Sequence, residues 1–156
     1  MRRASRHAAV MLMGLAGMLG GSVPTRGEEP LPGPVAGRQQ AMKMMKQSMA
    51  TIGAVAVRSQ KGDLEDLAMP AKMLVMATGR IAHTFPDGVA HPKSKASDKI
   101  WVERATFDHL AADAARAAQA LSDTIAAQDG TNLALRFGTL AEACKSCHQR
   151  YRLSDQ

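Results

Sequence analysis

Apolar residues recur every three or four positions along four long stretches of this chain, and no segment of useful length alternates apolar and polar residues. This spacing predicts amphipathic helices and argues against half-buried strands. With 46% hydrophobic and only 3% aromatic residues, the 156-residue chain suits one helical core rich in Ala, Leu and Met. We therefore expect an all-α protein, an antiparallel four-helix bundle. Turn signals place its helices at about 37–58, 64–84, 99–128 and 131–153.

Two helix boundaries carry conflicting or alternative signals. Pro70 lies inside the second stretch, so the regular helix either begins near Met69 or is kinked there, because proline belongs in a first helical turn. The polar connection FPDGVAHPKSKASD precedes the third helix. Its last residues, Ser97 and Asp98, are the two candidates for the N-cap.

The N-terminus has the pattern of a secretory signal. Three arginines, Arg2, Arg3 and Arg6, precede an apolar run over 8–20, followed by small residues and a proline. The run is shorter than the roughly 20 apolar residues that a membrane-spanning helix needs. Because no clean A-x-A site follows, cleavage is placed between Gly20 and Glu28, and a retained N-terminal anchor is the alternative. We expect an exported chain whose mature part has no stable membrane insertion.

The remaining chain divides into a short arm and one domain. Taking 1–27 as the signal peptide, the Pro- and Gly-rich residues 28–36 form a flexible arm and 37–156 the helical domain. The full chain has a net charge of +6, but the signal holds four arginines and no acid. The mature part has 16 basic and 14 acidic residues. A net charge of +2 gives little support to nucleic-acid binding, so no nucleic-acid partner is expected.

The chemistry of the chain is concentrated near its C-terminus. Its only two cysteines, Cys144 and Cys147, form C-x-x-C-H with His148. This is the attachment signature of c-type haem, in which two thiols form thioethers with the porphyrin vinyl groups and the histidine ligates iron. On a helix the three side chains share one face, because they lie three and four residues apart. The motif predicts one covalently attached haem c per chain.

Three other uses of these residues remain as alternatives. A thioredoxin-like pair would open a helix after a strand, whereas this pair closes a helical chain. A structural zinc site needs four ligands and would have to recruit His83, His91 or His109, which we expect at the surface. A disulfide would close a very short loop with little entropic gain.

The chain resembles the class II c-type cytochromes, the cytochrome c′ family, in which C-x-x-C-H lies near the C-terminus of a four-helix bundle. The resemblance covers almost the whole mature chain. It is carried by CKSCH, by RQQAM and IGAVA in the first helical region, and by FPDG followed by SDKIWVERATFD. It implies a haem bound near the C-terminal helix, a periplasmic location and no enzymatic activity.

The resemblance also implies roles for residues of the first helix. It places Arg38 near a haem propionate and Met42, one turn later, over the distal face of the iron. Many five-coordinate relatives carry an apolar residue at that place, so Met42 indicates the low-spin, methionine-ligated branch. Met45 and Met49 share the face and could replace Met42 as ligand if the register is shifted by a turn. Trp101 is expected in the core, with packing on the porphyrin a further possibility.

The implied function is electron transport. A haem held by His148 and Met42 would carry single electrons between redox partner proteins of unknown identity, and a homodimer is a further expectation. Lys145, Gln149 and Arg150 are predicted on the solvent side of the haem helix, where they could meet an acidic partner. The alternative is a five-coordinate protein that binds nitric oxide or carbon monoxide at an open distal face.

Overall fold

The computed structural model describes residues 33–57, 62–89 and 91–154. The predicted signal peptide, 1–27, and residues 28–32 of the predicted arm lie outside this part of the chain. No helix in the described residues has the length and apolar character that crossing a bilayer requires.

Helices make up nearly all the regular structure. Within the described residues, the only β-type pairing is a single antiparallel bridge between Ala96 and Arg152. Short 3₁₀ turns at Glu65–Leu67 and Ala82–Thr84 precede and follow the second helix. The predicted all-α fold class is therefore confirmed. In chain order the α-helices are α1 (Gly33–Ala56), α2 (Ala68–Thr78), α3 (Lys99–Val102), α4 (Arg104–Ala126) and α5 (Gly130–Tyr151).

The four longer helices form the predicted antiparallel bundle around one core. α1 packs along α2, α2 along α4, and α4 along α5, whereas α1 and α5 meet over only a short stretch. The weak contact between α1 and α5 leaves one side of the bundle less tightly closed than the others. The largest fully buried side chains of the core come from all four helices and from α3: Val35, Ile52, Leu74, Ile100, Phe107, Leu121, Ile125 and Leu140.

Both prolines near helix starts lie in a first turn. α1 begins at Gly33, so residues 33–36 of the predicted arm are helical and the helix starts earlier than expected. Pro34 is compatible with this start. The N–H groups of a first helical turn have no intrahelical partners, so a proline there costs no hydrogen bond. α2 begins at Ala68 with Pro70 as its third residue, which confirms the alternative of a helix start near Met69.

The third predicted helix is two helices. The backbone leaves helical geometry at Glu103, where φ is −110° and ψ is 38°. The prediction of one continuous helix over 99–128 is wrong at this point, because the apolar spacing continues across the break. Before α3, the hydroxyl of Ser97 accepts a hydrogen bond from the Lys99 N–H at 3.3 Å, whereas the side chain of Asp98 caps nothing.

The long connection between α2 and α3 lies against the C-terminal end of α5. The Ser97 N–H donates to the Tyr151 carbonyl and the Leu153 N–H to the Lys95 carbonyl, both at 2.8 Å. The same connection reaches α1, since Arg38 Nη2 donates to Ser94 Oγ at 2.8 Å. These bonds bring the start of α1 and the end of α5 to one end of the bundle.

Gly53 marks a close approach of α1 to α5 and allows a prediction. A Cβ at Gly53 would lie 2.8 Å from Cζ of Phe137, so Gly53→Ala forces that ring to move. We expect a loss of about 1–3 kcal/mol in unfolding free energy, as for other overpacked sites. Gly138→Ala is the matched control, because its Cβ would meet nothing within 4 Å. That variant should gain about 0.5–1 kcal/mol from helix propensity. Denaturant unfolding measures both, and a Gly53→Ala protein as stable as Gly138→Ala would contradict the close approach.

Candidate haem site

The two cysteines lie on α5 where it faces the core. Both are free thiols and half-buried, and both pack against the hydrophobic core. Burial raises the pKa of the Cys144 thiol, and it raises the pKa of the Cys147 thiol together with the charge of Cys144. A dithiol redox catalyst needs the opposite shift, since the thiolate is the reactive form. The thioredoxin-like alternative therefore loses support.

His148 lies beside the cysteines and is exposed. The surrounding protein atoms still reduce the hydration of its imidazolium enough to lower the pKa of His148, and the positive charge of Arg152 lowers it further. Both effects favour the neutral imidazole, which is the form that ligates a metal. The side chain borders an open depression of about 450 Å³, also lined by Lys145, Gln149, Arg152, Leu153 and Ser154.

The zinc alternative finds no additional ligands in the described residues. No group of three or more His, Cys, Asp or Glu side chains there could hold a metal ion. His83 and His109 are exposed, as expected. His91 is partly exposed and uses Nδ1 to accept a hydrogen bond from the Lys93 N–H at 3.1 Å. The zinc alternative therefore lacks the further ligands that it would need in this part of the chain.

Arg38 on α1 is a buried cation with an unused donor. Only 4% of the residue is exposed, and its guanidinium carbon lies 4.9 Å from the centroid of the Phe85 ring. Nη2 is bonded to Ser94, but the buried Nη1 has no hydrogen-bond partner in the described part of the chain. Burial lowers the pKa of Arg38. A buried guanidinium N–H without a partner is costly, and a carboxylate is the acceptor that suits it best. The site therefore fits the propionate of a haem.

Three methionines follow Arg38 along the inward face of α1. Met42 and Met49 are partly buried and pack against the core, whereas Met45 is 7% exposed and belongs to the core itself. The predicted common face of these residues agrees with their burial. Met42 lies one turn from Arg38, on the helix that contacts α5 only briefly. A flat group could enter the bundle on this side with the smallest loss of helix packing.

The remaining predicted residues lie around this site without a contact that assigns them a role in it. Trp101 is partly buried against the core, and its Nε1 donates to the Pro86 carbonyl at 2.9 Å, which fixes the ring to the connection. Lys145, Gln149 and Arg150 are exposed, as expected. Lys145 pairs with Glu142 at 3.2 Å.

One residue near the site had no local signal in the sequence. Glu103 Oε2 accepts hydrogen bonds from Arg150 Nε at 2.7 Å and from the Tyr151 hydroxyl at 3.0 Å. The bond from Arg150 is the main cause of a lowered pKa of Glu103, and the bond from Tyr151 adds to it. The partners lie 47 and 48 residues apart, so only the fold brings them together.

Comparisons with known proteins agree on one family. The model of the family described as cytochrome C′ matches residues 33–152. A cytochrome c-556 from Rhodopseudomonas palustris (strain ATCC BAA-98 / CGA009) is 29% identical over 119 residues, which cover 73% of this chain and 78% of the relative. A cytochrome c′ from the same strain is also 29% identical over 119 residues, covering 76% of this chain and 80% of the relative.

Solved structures show the same fold. A nitric oxide complex of a mutant cytochrome c prime from Alcaligenes xylosoxidans superposes with a TM-score of 0.73 at 23% identity, covering 78% of this chain and 94% of that one. A cytochrome c′ from Rubrivivax gelatinosus gives a TM-score of 0.72 at 20% identity, covering 76% and 94%. At these identities the structures support the four-helix architecture alone.

Proposed function

This chain belongs to the cytochrome c′ family, as a haem-binding, electron-carrying protein with covalently attached haem c, and from that premise we propose that its haem is ligated by His148 and Met42. Proteins of this family are electron carriers or gas-binding proteins and not classical enzymes. The proposed function is therefore the transfer of single electrons between redox partners.

We propose that Cys144 and Cys147 hold the haem by thioethers and that His148 is the proximal ligand. The support is local: the two thiols are half-buried on the inward side of α5, and the neutral form of the adjacent imidazole is favoured. When bound, the haem supplies a one-electron iron couple whose potential depends on the axial ligands. α5 supplies the rigid scaffold that keeps the three side chains in register.

The single observation that carries the choice of function is the place of Met42. It lies one turn after the buried Arg38, on the inward face of α1, and is only partly buried. A partly buried methionine can turn its flexible side chain toward a ligand without emptying the core. Met45 is enclosed by the core and is the less suitable ligand. A thioether opposite histidine favours reduced iron and a low-spin site.

Arg38 is proposed to bind a haem propionate. Its buried Nη1 has no partner among the described residues, whereas Nη2 is held by Ser94. A propionate would satisfy the open donor through a charge-assisted hydrogen bond. Trp101 remains a proposed packing neighbour of the porphyrin.

Gas binding is the second candidate function. One of the matched solved structures is a nitric oxide complex of a cytochrome c prime. If Met42 does not reach the iron, the distal face stays open, and a five-coordinate protein would bind nitric oxide or carbon monoxide. The protein would then act as a receptor or scavenger of gas.

Location and partners follow from the same proposal. We propose a periplasmic protein in which 1–27 is removed as a signal peptide and the domain begins within the arm at 28–36. The exposed Lys145 and Arg150 on the haem helix would steer an acidic redox partner toward it. Exposed methionines on α2, Met69 and Met76, lie seven residues apart and would suit a homodimer contact.

The proposal is tested by optical spectra of the exported, purified protein, oxidised and reduced, with and without nitric oxide. A His/Met site predicts sharp low-spin bands that the gas leaves unchanged, since both axial positions are filled. A high-spin spectrum that shifts readily with nitric oxide would replace the electron carrier with the gas-binding protein. A purified protein without covalent haem would overturn both.

A further inference from the structure

The last turn of α5 is fastened to the break between α3 and α4. One oxygen of Glu103, Oε2, accepts from both Arg150 and Tyr151, the second and third residues after His148. Glu103 is the residue at which the backbone leaves helical geometry. At this break, the carboxylate of Glu103 lies against the turn of α5 that follows His148, the proposed iron ligand.

Tyr151 is held from three sides. Its hydroxyl donates to Glu103, its carbonyl accepts from the Ser97 N–H at 2.8 Å, and its ring meets the edge of Phe107 with centroids 5.4 Å apart and planes at 82°. The residue is 3% exposed. The hydroxyl of this buried side chain is therefore satisfied by the carboxylate of Glu103.

His148 has no comparable fixation of its own. A metal-ligating histidine usually donates its second ring N–H to a carboxylate or carbonyl, which fixes the orientation of the ring. The imidazole of His148 is exposed and borders an open depression instead of a packed interior. The orientation of the ring must then come from the backbone of α5, and so from whatever fixes the last turn of that helix.

We propose that Glu103 is a positioning residue for the haem. By holding Tyr151, Glu103 fixes the last turn of α5, and this turn keeps the imidazole of His148 in one orientation. That orientation in turn sets the ferrous-to-ferric ratio of the haem iron. This inference rests on the proposed function, in which His148 is the proximal ligand. The carboxylate of Glu103 bonds to Arg150 and Tyr151, and it acts through Tyr151.

The test uses the haem-loaded full protein with Glu103→Ala and Tyr151→Phe, singly and together. Two quantities are measured: the ferrous-to-ferric ratio at a fixed applied potential, and the hyperfine-shifted proton NMR signals of the ferric protein, which depend on the orientation of the axial imidazole. Each single variant should raise the ferrous-to-ferric ratio by about threefold, because a less firmly held histidine stabilises ferric iron less. The double variant should add little, because both substitutions break the same link.

Glu142→Gln is the matched control for charge. Glu142 also lies on the haem helix and also pairs with a cation, Lys145, but its side chain is 64% exposed. An equal shift in this variant would mean that charge alone is responsible, and would overturn the proposal. A Tyr151→Phe protein with an unchanged ratio and unchanged NMR signals would also overturn it, even if its unfolding free energy falls. Tyr151→Phe carries the test alone if Glu103→Ala does not fold.

His148→Ala, measured in parallel, separates this inference from the function on which it rests. Loss of the wild-type axial spectrum in that variant supports the ligand assignment, so that a failure of the other variants counts against Glu103 alone. An unchanged spectrum would overturn the ligand assignment and the positioning role together.

Discussion

We expect Met42→Ala to abolish the low-spin optical bands that the proposed His/Met ligation predicts, and to leave high-spin iron that binds nitric oxide. The expectation follows from coordination: alanine has no donor atom, so the iron would lose the proposed thioether ligand, which favours its reduced form. The reduction potential should fall by about 100 mV, a small part of the roughly 0.8 V that axial ligands span. Optical spectra with and without nitric oxide, together with a redox titration, measure both effects.

Met49→Ala is the matched control for this substitution. Met49 lies on the same face of α1 two turns later and is also only partly buried. Its loss should lower stability through lost packing while the low-spin bands remain. Unchanged spectra in Met42→Ala would refute Met42 as ligand. If the bands disappeared instead in Met45→Ala or Met49→Ala, the register of α1 on the haem would be shifted by one or two turns.

The helices themselves were predictable because their information is local. Apolar spacing along α1, α4 and α5 depends on residues three or four apart, and the observed helices follow it. The break at Glu103 was not predictable on this basis, since its carboxylate bonds to residues 47 and 48 positions away. A helix-forming glutamate is compatible with a continuous helix, and only the tertiary contacts oppose it.

The residues of the candidate site also divide into those that a local motif predicts and those that require the family resemblance or the fold. Cys144, Cys147 and His148 form a motif whose meaning lies in its own spacing, so the haem could be predicted before any fold was known. Arg38 required the resemblance to a family, and its burial against Ser94 and Phe85 required the fold. No pattern in the first helix distinguishes a buried arginine with an open donor from a solvated one. The choice among Met42, Met45 and Met49 also depends on the path of α1 past α5, which periodicity leaves undetermined.

Removal of both thiols, in Cys144→Ala/Cys147→Ala, is expected to yield a chain without covalent haem and with much lower stability. The proposed haem would fill apolar space on the side of the bundle where α1 and α5 meet only briefly. Its loss should lower the unfolding free energy by about 4 kcal/mol, as for truncation of a large buried core side chain. For a domain of this size the corresponding fall in Tm is about 15 °C. Intact mass and thermal unfolding of the purified protein measure the two effects.

The single variants make the interpretation specific. Cys144→Ala or Cys147→Ala alone leaves one thiol, so a single thioether should still retain the haem and most of the stability. Ser146→Ala, between the two cysteines, changes the helix without touching the proposed attachment, and it should keep both thioethers. Equal thermal stability of the double variant and the loaded protein would contradict a structural role for the haem. Covalent haem in the double variant would contradict the attachment itself. If stability instead falls stepwise as the number of thioethers decreases from two to one to none, the result would support the proposal that the attached haem stabilises the bundle.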